Sequence, residues 1–200
     1  SDVYKRQGIK YIYGGEGAVL KGTITNASGQ SREVITEWKL KRVEETHGDY
    51  IEYVYETADE PVRGGLVAKA IYLKEVRAGN SGQAPHTVVV LEGSKQKRLK
   101  NNNARYGFLT SSNRLLEKLT VHFQGSTLRS YAFTYSEGAF NKDVLTGVKQ
   151  LDDKGAEVSY QKFDYYDDVQ AAKGYVPFKE KQEIWNTHND GLDAGFISPL

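Results

Sequence analysis

The 200-residue chain carries 27 Lys and Arg against 26 Asp and Glu, a balance that creates no overall field toward nucleic acid or an anionic membrane. It has no cysteine, which excludes disulfide frameworks, cysteine zinc sites and thiol nucleophiles. No apolar run approaches the ~18–20 residues needed to span a bilayer, yet the length suffices for one domain or two small ones to bury a core unaided.

Period-2 alternation of β-branched and aromatic residues runs through the chain. Ile9, Tyr11 and Tyr13 alternate ahead of GGEG (14–17), AVLKGTI (18–24) follows, and NASGQS (26–31) has loop chemistry. Glu33 to Val43 reads as one strand, with Val34, Trp38 and Leu40 on one face and Glu37, Lys39 and Lys41 on the other. THGD (46–49) turns the chain, and Ile51, Tyr53 and Tyr55 return on one face with Glu52 and Glu56 opposite. ADEPVRGG (58–65) reads as a connection before a strand at 66–77, where Leu66, Ala68, Ala70 and Tyr72 alternate. AGNSGQAPH (78–86) is a loop, TVVVLEG (87–93) a short apolar strand, and SKQKRLKNNNARYG (94–107) a polar, basic loop. A short helix is expected around 111–118 or within 178–186. Leu119, Val121 and Phe123 lead through QGST (124–127) to Tyr131, Phe133 and Tyr135, and a last hairpin turns at DDKG (152–155). The expected fold is all-β: antiparallel hairpins in a meander or sandwich-like sheets, with few or no helices. It covers residues 1–176, and 177–200, where the alternation stops, reads as a linker into a following domain.

Three stretches repeat one design. WKLKRVEETHGDYIEYVYE (38–56), LEKLTVHFQGSTLRSYAFTY (116–135) and LTGVKQLDDKGAEVSYQKFDYY (145–166) each join an aliphatic strand, a Gly-containing polar turn and a return strand of alternating aromatics. A lone hairpin cannot bury its aromatic face, so neighbouring units must join one sheet or stack. A Trp-led strand, an acidic residue ahead of a Gly-Asp turn, a Y-x-Y return, and the later L-R-S-Y-x-F-x-Y and F-D-Y-Y units resemble the N-terminal β-rich region of the Salmonella virulence-plasmid toxin B family. The same region occurs in the B components of insecticidal toxin complexes, relatives of Rhs proteins. The resemblance spans roughly 20–170 and departs at the turn, where the family's Asp followed by Gly-Asn is Glu45 followed by Gly48-Asp49 here.

Candidate sites are sparse. His47 and Asp49 could be a general base and its orienting carboxylate, but residues flanking one turn glycine rarely hold that geometry, and a solvated turn is the simpler reading. WNTHNDGLD (185–193) places Asn186, His188, Asp190 and Gly191 like a calcium loop, but His is a poor oxygen-ligand substitute and the closing Glu would fall at Ile197. GGEGAVLKG (14–22) lacks phosphate-loop spacing. Lys95, Lys97, Arg98, Lys100 and Arg105 form a basic run with only Tyr106 nearby for base stacking, so no nucleic-acid partner is expected. Asp152, Asp153, Glu157, Asp164, Asp167 and Asp168 could balance that run. Paired carboxylates such as Asp167-Asp168 or Glu180 with Glu183 carry no sign of a glycosidase cleft, and TSS (110–112) lacks the downstream glutamates of an ADP-ribosyltransferase. No catalytic, cofactor-binding or metal-binding residue is expected.

The resemblance implies a non-catalytic structural module of a large secreted or surface-associated bacterial toxin-like protein, contributing hairpins to a β-sheet shell or scaffold. Absence of any Met points to a segment of a longer polypeptide, whose missing targeting signal is then uninformative. Its partners would be other domains of that polypeptide or toxin-complex subunits, with no membrane span. Trp38, Tyr53, Tyr55, Tyr131, Phe133 and Tyr135 would be packing residues. The alternative is a carbohydrate-binding β-sandwich using exposed tyrosines with Trp38 or Trp185 as a platform, which would add a glycan partner.

Overall fold

The structure is a computed structural model that describes residues 8–165 and the backbone of 2–4. Its strands are β1 (Asp2–Tyr4), β2 (Lys10–Tyr13), β3 (Val19–Thr25), β4 (Ser31–Trp38), β5 (Leu40–Glu44), β6 (Asp49–Pro61) and β7 (Val67–Asn80). They continue as β8 (Thr87–Glu92), β9 (Asn102–Asn103), β10 (Thr110–Ser111), β11 (Lys118–Phe123), β12 (Ser126–Glu137), β13 (Asp143–Leu151) and β14 (Glu157–Lys162). One 3-10 turn, Ala139–Asn141, links β12 to β13. The all-β, antiparallel expectation holds.

The main sheet runs β1-β2-β5-β6-β7-β8-β11-β12-β13-β14, a meander broken by two excursions. The first is the β3-β4 hairpin, a separate two-stranded sheet. The second, residues 93–117, carries β9 and β10 and lays Thr110 parallel against Lys69 of β7. Both come together: a Cβ added to Gly22 on β3 would lie 2.5 Å from the Phe108 ring of the second excursion. Gly93 marks where that excursion leaves and returns, since a Cβ there would overlap the Leu115 carbonyl. Only glycine fits that crossing.

Most buried apolar residues lie where the excursions meet the sheet. Ala18, Leu20, Ala68, Ala70 and Leu115 are buried, joined by Glu60, Thr110 and Asn113 among polar residues. Across β6 and β7, Glu56, Ala58 and Glu60 stand opposite Tyr72, Ala70 and Ala68, so these six share one face. The alanines leave room for a second layer there.

Three turns are built alike. Asn26, Glu45 and Asp152 each accept through the backbone carbonyl from the glycine three residues on (Gly29, Gly48, Gly155), and each donates its own N–H to the residue after that glycine. Each glycine sits at positive φ. Asn26 Oδ1 also accepts from Ser28 N and Gln30 N, and Asp152 Oδ1 from Lys154 N and Ala156 N. Glu45 makes no matching side-chain bonds among the described residues, because its longer arm overshoots the Asx geometry. Its turn is secured instead from outside, by Ser81 N donating to Gly48 O and Asn80 Nδ2 donating to Asp49 Oδ1.

Three sequence expectations need correction. Glu33–Val43 is two strands, because Lys39 accepts from Gly14 N and donates to Ala18 O, switching the chain from one sheet to the other. Ala58–Pro61 belongs to β6, so the connection to β7 is only 62–66, closed by Val62 N donating to Leu66 O. No helix forms at 111–118: Leu115 N donates to Lys95 O and Glu117 N to Glu92 O, so the opposite arm of the excursion takes the donors a helix would use. The expected boundary at 176–177 and the helix within 178–186 lie outside the described residues.

Candidate functional site

A cleft of ≈ 770 Å³ lies between the β3-β4 hairpin and the far end of β6-β7. Val19, Lys21, Glu33, Ile35 and Trp38 come from the hairpin, and Thr57, Asp59 and Lys69 from β6 and β7. The β3-β4 register pairs Val19 with Trp38 and Lys21 with Ile35, which puts these side chains on one face. That face is opposite the one carrying Leu20 and Gly22. Trp38 is 58% exposed and Ile35 41%, so Trp38 is not the packing residue its place at the head of a strand suggests. Four of the cleft's charges are matched in pairs, Lys69 Nζ lying 2.7 Å from Asp59 Oδ1 and Lys21 Nζ 3.2 Å from Glu33 Oε2, and Glu16 also lines it.

A second cluster fastens the long excursion to the sheet. Arg114 Nε donates to Glu60 Oε1 at 2.8 Å and its Nη1 to Glu56 Oε1 at 2.7 Å, with the guanidinium 4.6 Å above the Tyr72 ring. The Glu60 side chain is 4% exposed. The Arg114 hydrogen bond holds the Glu56 carboxyl below its usual range. Tyr72 hydroxyl accepts from Asn113 N, and buried Asn113 bonds Asn101 and Asn102. Glu117 receives Ser94 N, Lys95 N and Ser94 Oγ, and these bonds also lower its carboxyl pKa, the Ser94 backbone bond first. The charged groups here are paired with one another, which describes a clamp, while Glu60 Oε2 and Ser111 Oγ are buried without a hydrogen-bond partner among the described residues.

Of the other sequence candidates, the 14–22 stretch lines the cleft and Lys95 reaches the clamp through its backbone, while the rest form no common site. His47 is exposed in its turn with Nδ1 3.3 Å from Thr46 Oγ1, and Asp49 is taken by Asn80. The basic run is largely used in holding the excursion: Lys97 Nζ donates to Ser112 O, Lys100 Nζ to Gln96, and Arg98 pairs with Asp143. Tyr53, Tyr131 and Phe133 are half-buried. Tyr55 and Tyr135 are too, and each hydroxyl donates to a carbonyl at the start of its own repeat, Leu40 O at 2.8 Å and Leu116 O at 2.7 Å. Burial pushes both phenols above their ordinary pKa. Among the described residues no cluster of His, Asp and Glu could hold a metal, and no helix is long and apolar enough to cross a membrane. Asp167, Asp168, Glu180, Glu183, Trp185 and the 185–193 stretch lie outside the described residues. Sequence reading missed the Arg114 clamp and the cleft. The one available signal was Glu60, an acid set among alanines on an inward face.

No family model and no curated protein matches the chain. Solved structures do. The N-terminal domain of effector protein SpvB from Salmonella typhimurium strain LT2 superposes with a TM-score of 0.55 at 15% identity, over 76% of this chain and 60% of that one. The chain has the fold of the toxin B region its hairpins resemble. A TcdB2-TccC3-TEV structure gives a TM-score of 0.54 at 16% identity, and a Photorhabdus luminescens Tc holotoxin pore gives 0.54 at 17%. Both cover 78% of this chain, which spans only 10% of those far longer chains.

Proposed function

We propose that this chain is a structural, non-catalytic module of a larger secreted or surface-associated toxin-like protein, and that its sheet continues into other parts of the same polypeptide or its complex. The observation that carries the reading is the bare apolar surface of the β11-β14 hairpins. Phe123, Leu128, Val158 and Tyr160 are 47–61% exposed on these strands, and the register puts Phe123 and Tyr160 on opposite faces of the sheet. A sheet with large apolar side chains on an uncovered face is stable and soluble when another layer covers it. The likeness to a domain of an effector protein and to segments of toxin-complex chains supports a modular role within a longer chain.

Hydroxyl-radical footprinting of the isolated chain against the full-length polypeptide tests the proposal. Phe123, Leu128 and Tyr160 should be labelled in the isolated chain and protected in the intact protein. Equal labelling in both would remove the scaffold role. The carbohydrate reading draws less support, because the cleft offers a single aromatic ring, Trp38, where a sugar platform needs several. A glycan array on the isolated chain should be blank.

A further inference from the structure

The cleft borders an unpaired strand edge. Val62 N–H closes the β6-β7 hairpin onto Leu66 O, so even-numbered residues at this end of β6 point their backbone groups at β7 and odd-numbered residues point away. β5 pairs β6 only at Tyr50, Ile51 and Glu52. From Tyr55 to Asp59 no strand pairs the outer side of β6 among the described residues. The N–H and C=O groups of Thr57 and Asp59 therefore point away from β7, and both residues line the cleft. Pro61 ends the edge, having no N–H to offer. Facing it stands the apolar side of the β3-β4 hairpin, with Trp38, Ile35 and Val19. The hairpin walls the slot on that side.

We infer that this slot receives one extended segment from elsewhere in the same longer polypeptide, paired with the outer edge of β6 at Thr57 and Asp59 and carrying apolar side chains at alternate positions against Trp38 and Ile35. Free backbone donors and acceptors at strand spacing are satisfied in register by another strand, and alternate pockets select its side chains. The Lys69–Asp59 and Lys21–Glu33 pairs neutralise most of the rim, leaving the Glu16 carboxylate among its lining charges. Its length is roughly five to seven residues, or about 20 Å of strand. The source of the strand rests on the scaffold reading above. The edge chemistry does not.

The test uses the 200-residue chain carrying Trp185→Phe, which leaves Trp38 as the sole tryptophan. The probe is a capped heptapeptide alternating threonine and valine, with a second version N-methylated at every valine so that one edge of its backbone cannot donate. The plain peptide should shift Trp38 emission saturably and slow amide exchange at Thr57 and Asp59. The methylated peptide should bind at least about tenfold weaker, the loss expected from one or two hydrogen bonds. Thr57→Pro should abolish binding while free Trp38 emission stays unchanged, and Trp38→Ala should weaken it with the Thr57 amide intact. Lack of saturable binding at millimolar peptide, or equal affinity for both peptides, would overturn the strand slot. In the full-length polypeptide the Thr57 and Asp59 amides should already be protected. Peptide binding to the isolated chain with both amides still fast in the full polypeptide would overturn the same-chain source and assign the slot to a separate protein.

Discussion

The middle of the sheet and its β11-β14 end are built from similar hairpins and end up physically unlike. Around β6 and β7, two excursions fold over the strands and bury Leu20, Ala68, Ala70, Leu115 and Glu60. Around β11 to β14 the buried positions are small or polar, Thr120, Ser130, Gly138 and Gly147, while Phe123, Leu128, Val158 and Tyr160 stand in solvent. The hairpin is thus only half of a stable unit, and a covering layer is the other half. The middle strands carry their own cover, and among the described residues the excursion reaches β13 through Arg98 and Asp143.

Substitutions can break that contrast. Leu20→Ala should have the largest effect, about 2–4 kcal/mol from lost contacts and a cavity, whereas Leu128→Ala should stay within ~0.5 kcal/mol. Urea midpoints of the two variants measure the difference, and equal losses would erase the distinction. Arg114→Ala comes next, at about 2–3 kcal/mol. It strands the Glu60 carboxylate, buried at 4% exposure, but Arg114 itself is a quarter exposed and water softens the loss. Amide exchange across 94–117 should accelerate while Val121 in β11 is unaffected.

Tyr55→Phe and Tyr135→Phe sharpen the comparison by asking what both regions share. Each removes a hydroxyl from a backbone carbonyl at the base of its hairpin, for about 1 kcal/mol apiece. Similar losses in the middle and at the β11-β14 end would show that the recurrent tyrosine is a property of the hairpin, independent of its cover. The smallest effect is acid sensitivity. Glu56 and Glu117 have folded pKa values below normal, so their stabilisation is complete above the ordinary carboxylate pKa of about 4.3 and is lost as pH falls through the lower folded values. Protection factors at Ser94 and Lys95, read between pH 5 and about pH 3, should fall in acid before those of β11.

Much of this was legible in the sequence, because alternation and Gly-centred turns are local signals. Ile51, Tyr53 and Tyr55 announce β6, and DDKG announces the last turn. What escaped depends on distant residues. Leu115 and Leu116 have a helix-compatible spacing, and only the arm at 92–97 pulls them straight. The break at Lys39 is invisible in a run of alternating residues, because it is made by Gly14 and Ala18 reaching in from another hairpin. The cleft joins Trp38 to Thr57, and neither residue carries a local sign of the other.

Six pairings slip by one residue, placing Thr36, Lys41, Lys74, Leu128, Thr146 and Val158 as the extra members. Each slip adds local coil and twist to its strand. Repeated across the sheet, the slips act as a lock on association: a flat, regular strand laid on the β14 edge meets the kink at Val158 and loses step. A partner strand would have to carry a matching irregularity to stay in step, so these defects deter indiscriminate stacking.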